Sequence, residues 1–106
     1  MLAEAAVSAP VFAALGDPTR LGVVRRLTEG PASITRLTDG TAMTRQAVTK
    51  HLTVLEKAGL VRHLRQGRET LWELERRKLE EARDYLDLMS RQWDERLSRL
   101  RGFVED

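Results

Sequence analysis

The 106-residue sequence predicts a mainly α-helical fold with one β-hairpin, in the order α-α-α-α-β-β-α. Apolar residues recur at helical spacing through residues 3–58, in segments that turn-forming residues separate. The pattern changes to two short strands around a glycine over residues 60–74. Helical spacing then returns and continues over residues 76–104. This order, with a long last helix, is typical of a single winged helix-turn-helix domain over residues 1–106.

The first helix is predicted over residues 3–15, with Gly16 as its stop. Proline is tolerated only in the first turn of a helix, so Pro10 leaves open a later start near Ser8. The sequence therefore predicts a helix that ends at Gly16 but does not decide where it begins.

The second helix has a strong start signal, an acidic cap at Asp17 followed by Pro18 at the first helical position. It is predicted to run to about Glu29, before the stop at Gly30-Pro31. Its inward-facing residues are predicted to be Leu21, Val24 and Leu27.

Residues 33–58 are predicted to form the helix-turn-helix. Ser33 is placed to cap a short helix that Asp39-Gly40 ends. Thr44 is placed to cap the next helix, whose first N–H groups lack backbone partners. Gly59 ends that helix as a left-handed C-terminal residue. The apolar stripe of the helix consists of Val48, Leu52 and Leu55.

The opposite face of this helix carries side chains that suit DNA, namely Arg45, Gln46, Thr49 and Lys50. Cations bind phosphates, and amides and hydroxyls read base edges. An ordinary amphipathic helix would have a similar pattern, so the flanking sequence decides between them. Residues 31–70 hold seven Lys and Arg against three Asp and Glu, a net charge of +4, whereas residues 71–106 have a net charge of −2. The positive charge therefore lies where a phosphate-facing surface is expected.

The hairpin over residues 60–74 follows the helix-turn-helix directly and is interpreted as a wing. Its turn is predicted at Gln66-Gly67. Arg65 and Arg68 flank the tip, where they could meet phosphates or a minor groove. The alternative is that these charges only keep an exposed hairpin in solution.

The last helix, residues 76–104, has an apolar stripe longer than the wing and three short helices could cover. A second copy of the same helix, packed with the helix over residues 3–15, is the predicted partner. Such a homodimer would place two recognition helices about 34 Å apart on one duplex. For Trp93, a role in the core of one chain is the alternative. The predicted interface residues are Val11, Phe12, Leu86, Met89, Trp93, Leu97 and Leu100.

Composition narrows the class of protein. The absence of cysteine excludes disulfides, thiolate metal sites and thiol redox switches. No apolar run approaches the length of a membrane span, and residues 1–7 do not resemble a signal peptide, so a cytoplasmic protein without a membrane partner is expected. His51 and His63 are the only histidines and no glycine-rich phosphate loop occurs, so an enzyme is not predicted.

Val11–Leu21 reads VFAALGDPTRL. This segment is similar to the opening signature of the ArsR/SmtB family of bacterial winged-helix repressors. Met43–Val61 is similar to its recognition helix, and Gly67-Arg68 to its wing tip. The resemblance implies a homodimer that represses transcription by binding a palindromic double-stranded DNA operator.

The resemblance also implies roles for individual residues. Residues that match Arg45, Gln46, Thr49 and Lys50 face the major groove in this family. The expected DNA-binding set comprises these four with Thr44, His51, Arg65 and Arg68. For His51 beside an apolar stripe, packing is the favoured role, and a phosphate contact is the alternative.

The sequence departs from the metal-sensing members of the family. Ser33–Leu37 has no cysteine, and residues 76–106 contain no histidine. Carboxylates such as Asp84 and Asp87 are poor selective ligands for zinc-like metals, so no metal or other cofactor is predicted. Two alternatives remain open: a winged-helix protein-interaction module, and a regulator that responds to a small molecule of unknown identity.

Overall fold

A computed structural model of the protein describes residues 2–105, with side chains placed for residues 8–104. The predicted order of five helices and a hairpin is confirmed, and one short strand is added to it. The elements are α1 (Leu2–Leu15), α2 (Pro18–Leu27), β1 (Ala32–Ser33), α3 (Ile34–Thr38), α4 (Arg45–Lys57), β2 (Val61–Gln66), β3 (Glu69–Leu74) and α5 (Arg76–Glu105).

The first two helices differ from prediction in detail. Helix α1 continues through Pro10, so the later start near Ser8 is wrong. Helix α2 ends at Leu27, short of the predicted Glu29. The prediction that Leu21 faces inward is also wrong, because its side chain is 53% exposed. Val23 takes its place beside Val24 and Leu27, since these three lie on the face of α2 that meets the core.

The predicted helix caps are present. Asp17 accepts a hydrogen bond from the Arg20 backbone N–H at 3.0 Å, and Ser33 accepts one from the Arg36 N–H at 3.3 Å. At the far end of α4, the Leu60 N–H donates to the Leu55 carbonyl at 3.0 Å while Gly59 has φ +80°. This arrangement closes the last turn of α4 and redirects the chain into β2.

The three strands form one antiparallel sheet in the order β1-β3-β2. Strands β2 and β3 pair from Val61↔Leu74 to Gln66↔Glu69, which leaves a two-residue turn at Gly67-Arg68, one residue later than predicted. Gly67 has φ +63°, a conformation that a tight hairpin turn requires and that glycine adopts without strain. Strand β1 pairs with the inner half of β3 and joins the wing to the helices.

The core lies between the helices and the inner face of the sheet. Its most deeply buried large residues are Val11, Val48, Leu52, Leu55 and Leu60. Helix α5 extends well beyond this core, and the molecule measures 68 × 27 × 20 Å as a result. No helix among the residues described is both long and apolar enough to cross a membrane.

Candidate nucleic-acid interface

Helix α4 has one buried and one exposed face, as its sequence pattern predicts. Val48, Leu52 and Leu55 are buried. The side chains of Arg45, Gln46, Thr49 and Lys50 are exposed on the other side. The structure thus brings these four predicted residues to one solvent-facing surface at the N-terminal half of the helix.

Two of the residues predicted to contact DNA, Thr44 and Thr49, also form hydrogen bonds with the backbone of α4 through their hydroxyls. The Thr44 hydroxyl accepts a hydrogen bond from the Ala47 N–H at 3.0 Å and caps the helix. The Thr49 hydroxyl donates to the Arg45 carbonyl at 2.8 Å. A hydroxyl has one proton and two lone pairs, so Thr44 keeps a proton to donate, and Thr49 keeps acceptor capacity.

A contact that the sequence did not reveal orients Arg45. Its guanidinium donates from Nη1 to the Thr35 hydroxyl of α3 at 2.7 Å. The two residues are ten positions apart, so only the packing of α3 against α4 brings them together. Thr35 therefore belongs to the surface as the residue that holds Arg45.

The arginines of the wing differ in whether they form an ion pair. Arg62 pairs with Glu73 on the opposite strand, with Nε and Oε1 2.6 Å apart, and this carboxylate raises the pKa of Arg62 above its ordinary value. Arg65 and Arg68 are exposed near the tip, and neither forms an ion pair with the side chains of residues 8–104. Arg65 and Arg68 therefore present uncompensated positive charge to a phosphate.

The hairpin of β2 and β3 is also joined to α4. Glu56 of α4 accepts a hydrogen bond from the His63 backbone N–H at 3.2 Å and forms a second contact with the His63 ring. That ring lies against Trp72, with centroids 5.1 Å apart. These contacts link α4 to β2, and the sequence offered no signal for them beyond the presence of a rare histidine.

His51 differs in position from the other predicted DNA-contacting residues. Its side chain is half-buried, and its Nδ1 atom lies 3.5 Å from Nη1 of Arg20. Asp17 lies nearby, and the hydrogen bond from the Arg20 backbone N–H, aided by the charge of Arg20, holds the pKa of Asp17 below its ordinary value of 3.8. His51 is therefore half-buried beside Arg20, whereas the other residues predicted to contact DNA are exposed.

Of the residues predicted to form the dimer interface, the two on α1 pack within their own chain and the other five lie on α5. Phe12 packs on Tyr85 with ring centroids 6.1 Å apart, where α1 meets α5. Val11 is only 2% exposed and belongs to the core of the single chain, so it has almost no surface to offer a second chain. The remaining residues lie on α5, where Leu86, Met89, Trp93 and Leu100 are between 41% and 60% exposed and Leu97 is half-buried.

Within the part of the chain that the structure describes, no group of three or more His, Asp or Glu side chains is placed to hold a metal ion. Asp84 and Asp87 are exposed on α5.

The chain is similar to known DNA-binding regulators. Residues 15–63 match the model of a helix-turn-helix domain family. The solved structure of an ArsR-like transcriptional regulator from Rhodococcus sp. RHA1 superposes with a TM-score of 0.82, at 33% identity and with 92% of each chain covered. The chain belongs to the ArsR/SmtB family of winged-helix transcriptional regulators.

Other members of the ArsR/SmtB family match a shorter part of the chain. The HTH-type transcriptional regulator Rv2034 of Mycobacterium tuberculosis is 36% identical over 74 residues, which cover 70% of this chain and 69% of that protein. The HTH-type transcriptional repressor SmtB of the same organism is 36% identical over 61 residues, 58% of this chain and 45% of SmtB. As a member of this family, the protein is a DNA-binding transcriptional regulator and not an enzyme.

Proposed function

We propose that this ArsR/SmtB-family regulator is a homodimeric repressor that binds a palindromic operator. The observation that carries the dimer is the apolar stripe of α5, which continues past the subunit's own core to Trp93 and Leu100 at 60% and 58% exposure. Contiguous exposed apolar surface of this kind is typical of an interface, and tryptophan is enriched in such surfaces. The relative named as a repressor supports repression as the outcome of binding.

The dimer would form through α5 and α1. Phe12 and Tyr85 join these two helices within one subunit, so a second α5 could pack along both at once. Leu86, Met89, Trp93, Leu97 and Leu100 would meet their copies across a two-fold axis. That axis would match the two-fold symmetry of a palindromic duplex.

Each subunit would place α4 in the major groove. Arg45 and Lys50 would neutralise phosphates there, and Arg65 and Arg68 would do so at the wing. Gln46 would pair with a base edge, because an amide can donate and accept at adenine N6 and N7. Thr49 would accept from a base amino group, and the Thr44 hydroxyl would donate to a phosphate oxygen. The site of action would be the cytoplasm, where bacterial chromosomal DNA lies.

Selection of duplexes from a random library by the purified protein, followed by sequencing, tests this proposal. We expect an inverted repeat with half-site centres about 10 base pairs, or one helical turn, apart. Placing the selected duplex over a promoter in an in vitro transcription reaction should reduce transcript yield as protein is added. Selection of a single, unrepeated half-site would contradict the dimer, and increased transcription would contradict repression.

A further inference from the structure

The guanidinium of Arg20 caps the end of α1. Its Nε donates to the Ala14 carbonyl at 2.7 Å, and its Nη2 donates to the Ala13 carbonyl at 3.5 Å. Ala13 also accepts a backbone hydrogen bond from Gly16, whereas Ala14 lies in the last turn, where carbonyls lack helical partners and positive charge is favourable. This edge of the guanidinium is therefore committed to α1.

The third nitrogen of the same guanidinium points to the recognition helix. Nη1 of Arg20 lies 3.5 Å from Nδ1 of His51, which is half-buried in the middle of α4. A guanidinium only donates hydrogen bonds, so this contact requires an Nδ1 without a proton. His51 immediately follows Lys50, one of the residues proposed to contact DNA.

Arg20 is itself held at its backbone. Its N–H donates to the Asp17 carboxylate at 3.0 Å in the first turn of α2. The cluster of Asp17, Arg20 and His51 thus joins three helices, α1, α2 and α4, through polar contacts.

Side-chain hydrogen bonds of Arg45 and Glu56 join α4 to α3 and to β2, and its apolar stripe is buried in the core. Among the described residues, the contact between His51 and Arg20 is the side-chain hydrogen bond that joins α4 to α1 and α2. A hydrogen bond is directional, and the planar fork of arginine can hold two partners in a set geometry, which the ammonium of lysine does not. The contact with Arg20 is therefore suited to fix the rotation of α4 relative to α1.

We propose that Arg20 is a positioning residue for sequence recognition, which acts through His51 to orient α4 relative to α1 and the helix α5 packed on it. Arg20 does not touch DNA in this role. It keeps Gln46 and Thr49 within hydrogen-bond distance of base edges. A small rotation of α4 would move both side chains out of that distance. This inference rests on the proposed contact of α4 with DNA.

The test compares two duplexes: the one that the parent protein selects from a random library, and a shuffled duplex of the same length and composition. Binding of each is titrated at several salt concentrations. The variants are Arg20→Gln, Arg20→Lys, His51→Leu, His51→Asn and the double variant Arg20→Gln/His51→Leu. Arg25→Gln, which removes an exposed arginine from the same helix, is the matched control. Thermal melting by circular dichroism verifies that each variant is folded at the assay temperature.

We expect Arg20→Gln and His51→Leu each to weaken binding of the selected duplex about tenfold, the size of one lost base contact, with little change for the shuffled duplex. The double variant should bind the selected duplex no more weakly than the weaker-binding single variant, because both substitutions break the same contact between Arg20 and His51. His51→Asn keeps an acceptor near the position of Nδ1 and should recover binding, whereas Arg20→Lys should not. The slope of log affinity against log salt should remain that of the parent.

Two results would overturn the proposal. A salt slope reduced by about 0.9 for Arg20→Gln, with equal losses on both duplexes, would mean that Arg20 contacts a phosphate directly. Additive losses in the double variant, or unchanged binding in His51→Leu, would mean that the two residues act separately. His51→Leu leaves the Arg20 cap on α1 in place, so it remains informative if Arg20→Gln does not fold. If α4 does not contact the bases at all, Gln46→Ala will have no effect on binding of the same duplexes. That result distinguishes failure of the proposed function from failure of the proposal about Arg20.

Discussion

Gln46 is exposed near the N-terminus of α4 and forms no hydrogen bond with the side chains of residues 8–104. Its amide is therefore available to a base. We expect Gln46→Ala to weaken binding of the selected duplex by about 1–3 kcal/mol and to relax preference at one base pair of each half-site. Competition binding with duplexes substituted at each position measures this.

The control for Gln46 is Gln92→Ala, which removes an exposed amide of the same kind from α5. Equal losses on every substituted duplex would contradict a base-reading role for Gln46.

Arg68 occupies the second position of the wing turn, beside Gly67. Because its charge is uncompensated, we expect Arg68→Ala to weaken binding of all duplexes alike and to reduce the salt slope by about 0.9. Titrations at several salt concentrations test this, with Arg91→Ala on the exposed face of α5 as the control. Identical salt slopes for Arg68→Ala and the parent would rule out the phosphate contact.

Asp17 couples stability to pH. Its pKa is lowered chiefly by the hydrogen bond from the Arg20 N–H, so the ionised form stabilises the folded chain. The stabilisation is complete above the unfolded-state pKa near 3.8 and is lost as pH falls through the lower folded-state pKa. Asn also caps helices but does not titrate. In denaturant melts from about pH 6 to about pH 2, the stability advantage of the parent over Asp17→Asn should shrink toward zero. A constant difference across that range would contradict the assignment.

The starts of α2, α3 and α4 were predicted because their capping signals are local. Caps such as Ser33 and Thr44 bond to residues three positions away, and a left-handed glycine ends a helix through its own backbone. Strand β1 was missed for the opposite reason. It has two residues, shows no alternation and exists only because β3 lies beside it.

Substitution by alanine should change the stability of the protein in opposite directions at Gly59 and Gly22. Gly59 has φ +80°, and a Cβ there would lie 3.0 Å from Cγ of Lys78, whereas Gly22 lies within α2 with no neighbouring atom within 4 Å of an added Cβ. We expect Gly59→Ala to destabilise the protein by more than about 1 kcal/mol and Gly22→Ala to stabilise it by about 0.5–1 kcal/mol. Urea denaturation of both variants measures the difference. The same sign of change in both would contradict this account of α4 termination.

At the scale of the whole molecule, the apolar stripe of α5 stays exposed to solvent in the single chain. We expect Trp93→Ala to raise the monomer fraction in analytical ultracentrifugation, because it removes the largest apolar side chain of the proposed interface. Asp94→Ala, on a neighbouring exposed position, is the matched control. An unchanged mass for Trp93→Ala at concentrations where the parent begins to dissociate would contradict the α5 interface.

The sequence by itself determined the helices, the hairpin, the exposed face of α4 and the resemblance to ArsR/SmtB regulators. All of these depend on spacing within a few residues, which local hydrogen bonds and a periodic apolar face convert directly into structure. Tertiary structure decided which neighbours those elements meet. It placed Val11 in the core, exposed Leu21, and brought Thr35 to Arg45 and Arg20 to His51. Such pairs are ten or more residues apart, and no periodicity encodes them, because they depend on how whole helices pack against one another.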